Sequence, residues 1–367
     1  MKIGLLTTGF PRFEGDCSGS FLLTLARGLA GGGHTIKVLA PEPRRRGAAP
    51  RWPGIEVSWV PYVRPRALQR TFYGSGAPDN LRLQPASWAG AVSFAAALYR
   101  ASGRELVDCD ALVSSWCIPS GWAASRTAAG RPHLCICHAT DIRWLSTIPG
   151  GGVLARQIAT GATAMWFLSA PLRDRFFETA GLQPSAVTSH VGPMPIEPPQ
   201  PLLERRSELR HRLGIDGFTL LFLGRLVPVK GLDDLLHALA ILPEPVSIRV
   251  AGDGPERGRL RALAQHLGIH ATFEGWVAGE RKEALLQACD AIVVPSGPTD
   301  GLPTVVFEAK ARALPIVATE AGAIGDHLRG DAGTSLVRAN DRAALSRAIR
   351  DLHTRHETES RVHGVTL

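Results

Sequence analysis

The chain is short of lysine, of long apolar runs and of paired cysteines, and each shortage excludes something. Across 367 residues no hydrophobic stretch approaches the roughly 18 to 20 residues that a bilayer requires, so no membrane span is expected. The start, Met1-Lys2-Ile3-Gly4-Leu5-Leu6, is too brief for a secretory leader, and a cytoplasmic, reducing location is the expectation. The six cysteines, at 17, 109, 117, 135, 137 and 289, show no paired metal-ligand spacing. Cys135-Ile136-Cys137 reads instead as part of a buried strand with reduced thiols. Aromatic residues make up 6% and are not interleaved with basic ones, which excludes the usual nucleic-acid readers. What remains, 45% hydrophobic and 20% charged residues with 39 Gly and 27 Pro, is globular composition with length for two domains.

The formal charge of +8 is unevenly placed. Residues 1–199 hold 20 basic against 12 acidic side chains, whereas 200–367 hold 21 of each. Arg44, Arg45, Arg46, Arg51, Arg64, Arg66 and Arg70 form a cluster in which Glu56 is the one acid. Two readings stand. The cluster greets an anionic acceptor or anionic lipid headgroups, at about 1 kcal/mol per basic residue near a charged bilayer, or it is a solvated loop in a chain with 36 Arg and 5 Lys.

Apolar runs alternate with helical patterns along most of the chain, the βαβ signature of parallel sheets. The first set takes in strands at Lys2–Thr7, Thr35–Leu39, Ala111–Ser114, His133–Cys137 and Ala164–Ser169, with helices at Gly19–Leu29, Pro119–Ala129 and Ala170–Thr179. Prolines 193, 195, 198, 199 and 201 then interrupt the pattern, since proline neither continues a helix nor donates in a central strand. It restarts at Thr219–Leu223, with further strands near Val246–Val250, Ala271–Phe273, Ala291–Val294 and Ile316–Ala318. The expected architecture is α/β: a Rossmann-like domain over 1–190, a Pro-rich linker over 191–216, and a second Rossmann-like domain over 217–367. Ligands of such sheets bind beyond the carboxyl ends of the strands, so two domains facing each other define a central cleft.

The strongest motif is Gly224-Arg225-Leu226-Val227-Pro228-Val229-Lys230-Gly231, a loop between a strand and a helix starting near Leu232. Arg225 and Lys230 there offer two fixed cations to an anion such as a pyrophosphate, each charge-assisted hydrogen bond contributing about 1.5–3 kcal/mol. Asp300-Gly301-Leu302-Pro303-Thr304 leads into a helix carrying Glu308, with Pro303 expected in the first turn. Glu308 lies one turn beyond Thr304, so both acids can reach one ligand. In the first half, His138 follows a strand and Asp141 lies three residues on, while Gly15 and Gly19 belong to a glycine-bearing loop before a helix.

Two matches are discounted. Asp108-Cys109-Asp110 has the spacing of a metal-binding acid pair but reads as the turn before a strand. Gly252-Asp253-Gly254-Pro255-Glu256-Arg257-Gly258 with Glu274 imitates a dinucleotide fingerprint, yet its third glycine falls one place late.

In their order along the chain, Gly224-Arg225-Leu226, Lys230-Gly231, Gly252-Asp253-Gly254-Pro255 and Asp300 to Glu308 resemble the retaining GT-B glycosyltransferases of family 4 over about residues 1–350. The resemblance implies a GT-B fold, a nucleoside-diphosphate sugar (UDP- or GDP-linked) as donor substrate, no metal or other cofactor, and retention at the anomeric carbon. It gives Arg225 and Lys230 the diphosphate, Glu308 the ribose, Asp300 the sugar hydroxyls, and His138 the sugar near its primary hydroxyl. Gly252, Gly254, Gly301, Leu302 and Pro303 would line the donor site, and Gly15, Gly19 and Asp141 the acceptor side of the first domain. The implied acceptor is a glycan, a lipid-linked saccharide or a small molecule, with peripheral contact at the inner membrane face through Arg44–Arg70. Asp300 stands where the family usually has Glu, Ala313 where glycine is common, and Ala321 to Asp326 where a Gly-Gly-Ile-Pro-Glu type sequence is usual. Leu367 falls about where the family's last helices begin, so the final crossover helices are expected to be lacking. The alternatives are a non-catalytic nucleotide-sugar-binding homologue and an NAD-dependent oxidoreductase built on Gly252 to Glu274.

Overall fold

The computed structural model describes the chain except residues 14–15, 17, 45–50, 75, 78–79, 82–83, 198 and 363–367, with the backbone alone for 359–362. It divides into two compact units, Met1–Pro195 and Ile196–Leu367.

The first unit runs β1 (Lys2–Leu6), α1 (Ser20–Gly31), β2 (Thr35–Pro41), β3 (Ile55–Val60), α2 (Ala86–Glu105), β4 (Ala111–Ser115), an irregular turn (Cys117–Gly121), α3 (Trp122–Thr127), β5 (His133–Cys137), α4 (Ala139–Leu145), α5 (Gly151–Gly161), β6 (Ala164–Phe167), α6 (Ala170–Ala180) and β7 (Thr188–Val191). Its seven strands lie in the order β3-β2-β1-β4-β5-β6-β7, all neighbours parallel. Helices cover both faces, which is why the central strands are apolar on consecutive rather than alternate positions, as at Leu5-Leu6 and Val38-Leu39, all buried. Phe94 and Leu98 of α2 close one core, Ile158 of α5 and Phe176 of α6 another. Chain direction is set by local punctuation: Pro171 lies in the first turn of α6, and Gly181, at φ 61°, ends it.

The second unit comprises α7 (Arg206–Leu213), β8 (Thr219–Leu223), α8 (Leu232–Ala240), β9 (Ser247–Ala251), α9 (Arg257–His266), β10 (Ala271–Gly275), α10 (Gly279–Ala288), β11 (Ala291–Val294), α11 (Val305–Lys310), β12 (Ile316–Thr319), α12 (Ile324–Leu328), β13 (Thr334–Val337) and α13 (Arg342–Val362). The strand order is β10-β9-β8-β11-β12-β13, again parallel throughout. In each sheet the order reverses beside the first strand, between β1 and β4 and between β8 and β11. Ligands of such sheets bind beyond the carboxyl ends of the strands, where the order reverses.

The stretch 191–216 is not linker throughout. Beyond the last proline of the run, Arg206–Leu213 form a helix whose Leu209 and Leu213 join the core that holds Leu285 and Leu286. Glu208 caps it by accepting the Arg205 N–H at 2.8 Å. With so few apolar positions among charged ones, the helical period is faint in the sequence. At the amino edge of the second sheet, fully buried Asp290 accepts the Thr219 N–H at 2.7 Å and Arg210 Nη1 at 3.0 Å. Arg206 also pairs with Asp290, and His356 Nε2 of α13 lies 3.2 Å away. One carboxylate thereby ties α7, β8, β11 and α13 together.

Candidate functional site

The loops at the carboxyl edge of β8, β9, β11 and β12 are packed backbone against backbone. Gly224 N–H donates to Ala251 O at 3.0 Å, Leu226 N–H to Asp253 O at 2.9 Å, Gly297 N–H to Val229 O at 2.7 Å and Ala323 N–H to Gly301 O at 3.2 Å. Two glycines make this approach possible. Gly231 has φ 70°, and a Cβ there would stand 1.9 Å from Pro295 O. Gly252 has φ 151°, and its Cβ would stand 1.8 Å from Gly224 O. The Lys230-Gly231 and Gly252-Asp253-Gly254 motifs are thus first a requirement of close packing, and Gly254 lies likewise against Leu226 O.

Across the β8/β11 reversal Lys230 Nζ meets Asp300 Oδ2 at 2.8 Å. Ser296 Oγ donates to the same oxygen at 2.6 Å, and the Gly301 N–H donates to Asp300 Oδ1 at 3.0 Å. The pair is mostly covered, the side chains 23% and 12% exposed. Two residues 70 apart in sequence are therefore one electrostatic unit, a cation and an acid largely shielded from solvent. Arg225 follows Gly224 in the same loop, half-buried, its carbonyl accepting the Val227 N–H. Leu302 packs against the core below. Pro303 precedes the helix rather than entering its first turn: α11 starts at Val305, and the Pro303 carbonyl accepts the Val306 N–H.

Glu308 has a partner that the sequence did not suggest. Lys282 Nζ of α10 lies 3.1 Å from Glu308 Oε2, an oxygen that is buried and receives no aligned hydrogen bond. The neighbouring Arg312 donates to the Glu308 carbonyl at 2.7 Å and pairs with Glu283. A buried carboxylate oxygen with charge compensation but an open hydrogen-bonding direction suits a ligand hydroxyl.

In the first unit His138 caps α4 at the carboxyl end of β5. Its Nε2 lies 2.9 Å from Ser115 Oγ, and its ring contacts those of Trp116 and Phe21 at 4.7 and 5.5 Å between centroids. Burial pushes the imidazole down to about 4, so it is neutral at pH 7. Asp141 does not face an acceptor as the sequence suggested. It is 2% exposed, Oδ1 accepts the His138 and Ile142 N–H groups at 2.9 and 2.8 Å, and Oδ2 accepts the Cys117 N–H. It positions the turn that carries His138, while burial pushes its carboxyl up to about 7. Gly19, at φ 69°, starts α1 against the Gly9 carbonyl; Gly15 lies outside the described residues. Asp16 braces that loop by accepting from Arg12 and Ser18.

The discounted motifs have structural partners. Asp108 pairs with Lys2, and Asp110 accepts the Lys2 N–H at 2.7 Å. Glu274, the acid that a dinucleotide site would need for ribose, is bound by Arg249 at 2.9 Å and by Arg281. Within the arginine cluster, Glu56 pairs with Lys37 at 4.0 Å, while Arg66 donates to Pro43 O and lies 3.6 Å from Glu42. Arg44, Arg51, Arg64 and Arg70 are exposed; Arg45 and Arg46 lie outside the described residues. The cysteines depart from the sequence reading, since Cys117, Cys135 and Cys137 converge although their spacing shows no metal-ligand pattern. Among the described residues no helix is long and apolar enough to cross a membrane.

Two doubly wound parallel units are the architecture of the GT-B class. Sucrose-phosphate synthase from Thermosynechococcus elongatus superposes with a TM-score of 0.72 at 18% identity, over 96% of this chain and 90% of that one. Anabaena Alr3699/HepE, solved in complex with UDP, gives 0.68 at 18% identity, over 96% and 89%. Residues 18–189 match the family model for the glycosyl transferase 4-like domain, and residues 217–355 the model for glycosyl transferases group 1. The chain belongs to this family, glycosyltransferase family 4. The GDP-mannose-dependent alpha-(1-6)-phosphatidylinositol monomannoside mannosyltransferase of Mycolicibacterium smegmatis is 30% identical over 242 residues, 62% of this chain and 62% of that relative.

Proposed function

We propose that this chain is a metal-independent, retaining glycosyltransferase that moves a hexose from a UDP- or GDP-linked donor onto a glycan, lipid-linked or small-molecule acceptor. The observation that carries the reading is the Lys230–Asp300 pair bridging the loops after β8 and β11. Cleavage of a sugar–phosphate bond builds negative charge on the leaving diphosphate, and a preplaced cation stabilises it most where solvent is excluded. In this reading Lys230 turns from Asp300 to the diphosphate together with Arg225, and Asp300, still held by Ser296 and Gly301, accepts from sugar hydroxyls. Glu308 takes the ribose with its open oxygen. His138, a neutral imidazole hydrogen-bonded to Ser115, is read as a partner for a sugar hydroxyl. The GDP-mannose named for the mycobacterial relative and the UDP of the HepE complex support a nucleoside-diphosphate donor.

A panel of UDP- and GDP-sugars with an assay for released nucleoside diphosphate tests the reading, run with and without a chelator. Release with at least one donor, unaffected by chelation, is expected. Donor binding without release would leave a non-catalytic binding protein, and loss of release in the chelator would end the metal-independent mechanism.

The phosphatidylinositol lipid in that relative's name favours a lipid-linked acceptor, and exposed Arg44, Arg51, Arg64 and Arg70 are the groups that would meet its headgroup plane. Sedimentation with vesicles should rise with anionic lipid content and fall with salt; binding indifferent to both returns these arginines to a solvated surface.

A further inference from the structure

Cys117, Cys135 and Cys137 are each fully buried, and their sulfurs all lie within 4.8 Å of one another. Cys135 and Cys137 are alternate residues of β5 and so project to the same face. Cys117 reaches them from the turn after β4. That turn is costly to build. It begins beside Trp116, held at φ 71°, and Ser120 within it is fully buried with no hydrogen-bond partner for its hydroxyl among the described residues. It also closes tightly over the sulfurs, since a Cβ on Gly121 would stand 2.8 Å from Cys135 Sγ. Small apolar packing alone requires neither the convergence of three thiols nor the orphaned hydroxyl.

We propose that Cys117, Cys135 and Cys137 form a binding site for a trivalent thiophilic ion, with arsenic(III) the chemical class that fits. Ligand number, size and charge each bear on the choice. The group contains three sulfurs, one short of the four that a closed zinc site uses. Arsenic(III) with three thiolates is pyramidal, and bonds of about 2.3 Å at angles near 100° set its sulfurs about 3.5 Å apart, so closure needs each to move by no more than about 0.75 Å. Three thiolates carry three negative charges at a site without solvent, and a monovalent or divalent ion would leave a net buried charge, which is costly. A trivalent ion leaves none. The exchange balances without an oxidant: As(OH)3 and three Cys–SH give As(S–Cys)3 and three waters, each thiol proton departing with a hydroxide, arsenic staying in the +3 state throughout.

The full chain, reduced and freed of metal, would be titrated with arsenite and followed by intact-mass measurement and by thiol titration in denaturant. The expected result is one arsenic per chain with three thiols withdrawn, and uptake at least tenfold weaker in Cys117→Ala, Cys135→Ala and Cys137→Ala but unchanged in Cys109→Ala and Cys289→Ala. Arsenic X-ray absorption on the wild-type chain guards against variants that fail to fold, and three sulfur neighbours are expected. No uptake, two sulfurs with an oxygen, or uptake insensitive to Cys117 would overturn the site. Retention of cuprous or zinc ion in preference to arsenic would overturn the charge argument.

Discussion

Replacing Lys230 by alanine removes an ammonium held 2.8 Å from Asp300 and, on the proposed chemistry, the cation that meets the departing diphosphate. A unit charge about 4 Å from a developing negative charge, at an effective dielectric of about 20, bounds the loss near 4 kcal/mol. Charge-assisted hydrogen bonds measured by deletion contribute about 1.5–3 kcal/mol, and the two together point to about 2.7 kcal/mol, or about 100-fold in kcat/KM. Stability should change far less. Asp300 keeps Ser296 at 2.6 Å and the Gly301 N–H at 3.0 Å, so about 1 kcal/mol and a few degrees of Tm are expected. The assay is nucleoside diphosphate release at subsaturating donor, run beside a thermal melt of the same sample. Near-normal turnover in a folded Lys230→Ala protein would refute the assignment. If Lys230 served merely to neutralise Asp300, adding Asp300→Asn would restore activity, and no such rescue is expected.

Three further outcomes follow from the geometry. Gly231→Ala should destabilise the chain by at least about 2 kcal/mol in urea melts, because φ 70° is combined with a Cβ 1.9 Å from Pro295 O; a neutral effect would mean that the two loops are not in contact. Ala313→Gly should instead stabilise by about 1 kcal/mol, since Ala313 holds φ 52° at the carboxyl end of α11, with its N–H on Lys310 O and the Leu314 N–H on Ala309 O; a lower Tm would contradict the strain. The His138 imidazole, lowered to about 4, resists the proton that an unfolded histidine takes up near pH 6.5. Its contribution is therefore intact at pH 7 and lost as pH falls from about 6.5 towards 4, by about 2 kcal/mol at pH 5. Denaturant melts of wild type and His138→Asn at the two pH values should diverge by that amount, and parallel acid losses would show the ring to be solvated.

Much of the architecture is visible in the residues. β8 and β11 coincide with the runs Thr219–Leu223 and Ala291–Val294, because strands buried on both faces read as uninterrupted apolar segments. The omissions have separate local causes. β7 and β13 are edge strands whose residues, such as Thr188-Ser189-His190 and Thr334-Ser335, are half-exposed and carry little apolar signal. β3 lies inside the stretch whose arginines dominated the reading, and α2 mixes buried Phe94 and Leu98 with exposed Trp88, Val92 and Tyr99, which blurs its period. At the site, the motif residues were legible and their partnerships were not. Lys282 against Glu308, Lys230 against Asp300 and Cys117 against Cys135 are joined by strand order, which no local window contains. Asp141 misled for a different reason: an acid three residues into a helix serves its cap as readily as a ligand.

The Asp290 junction separates two kinds of evolutionary freedom. It anchors the helix after the prolines and the final helix at one rim of the second sheet, whereas every side chain of that unit proposed to meet the donor leaves from the opposite rim. Loops grafted there from a relative with another sugar preference would not load the anchor, so donor choice in this chain should be exchangeable in cassettes of a dozen residues or so, with the melting temperature following Asp290 and the selectivity following the grafts.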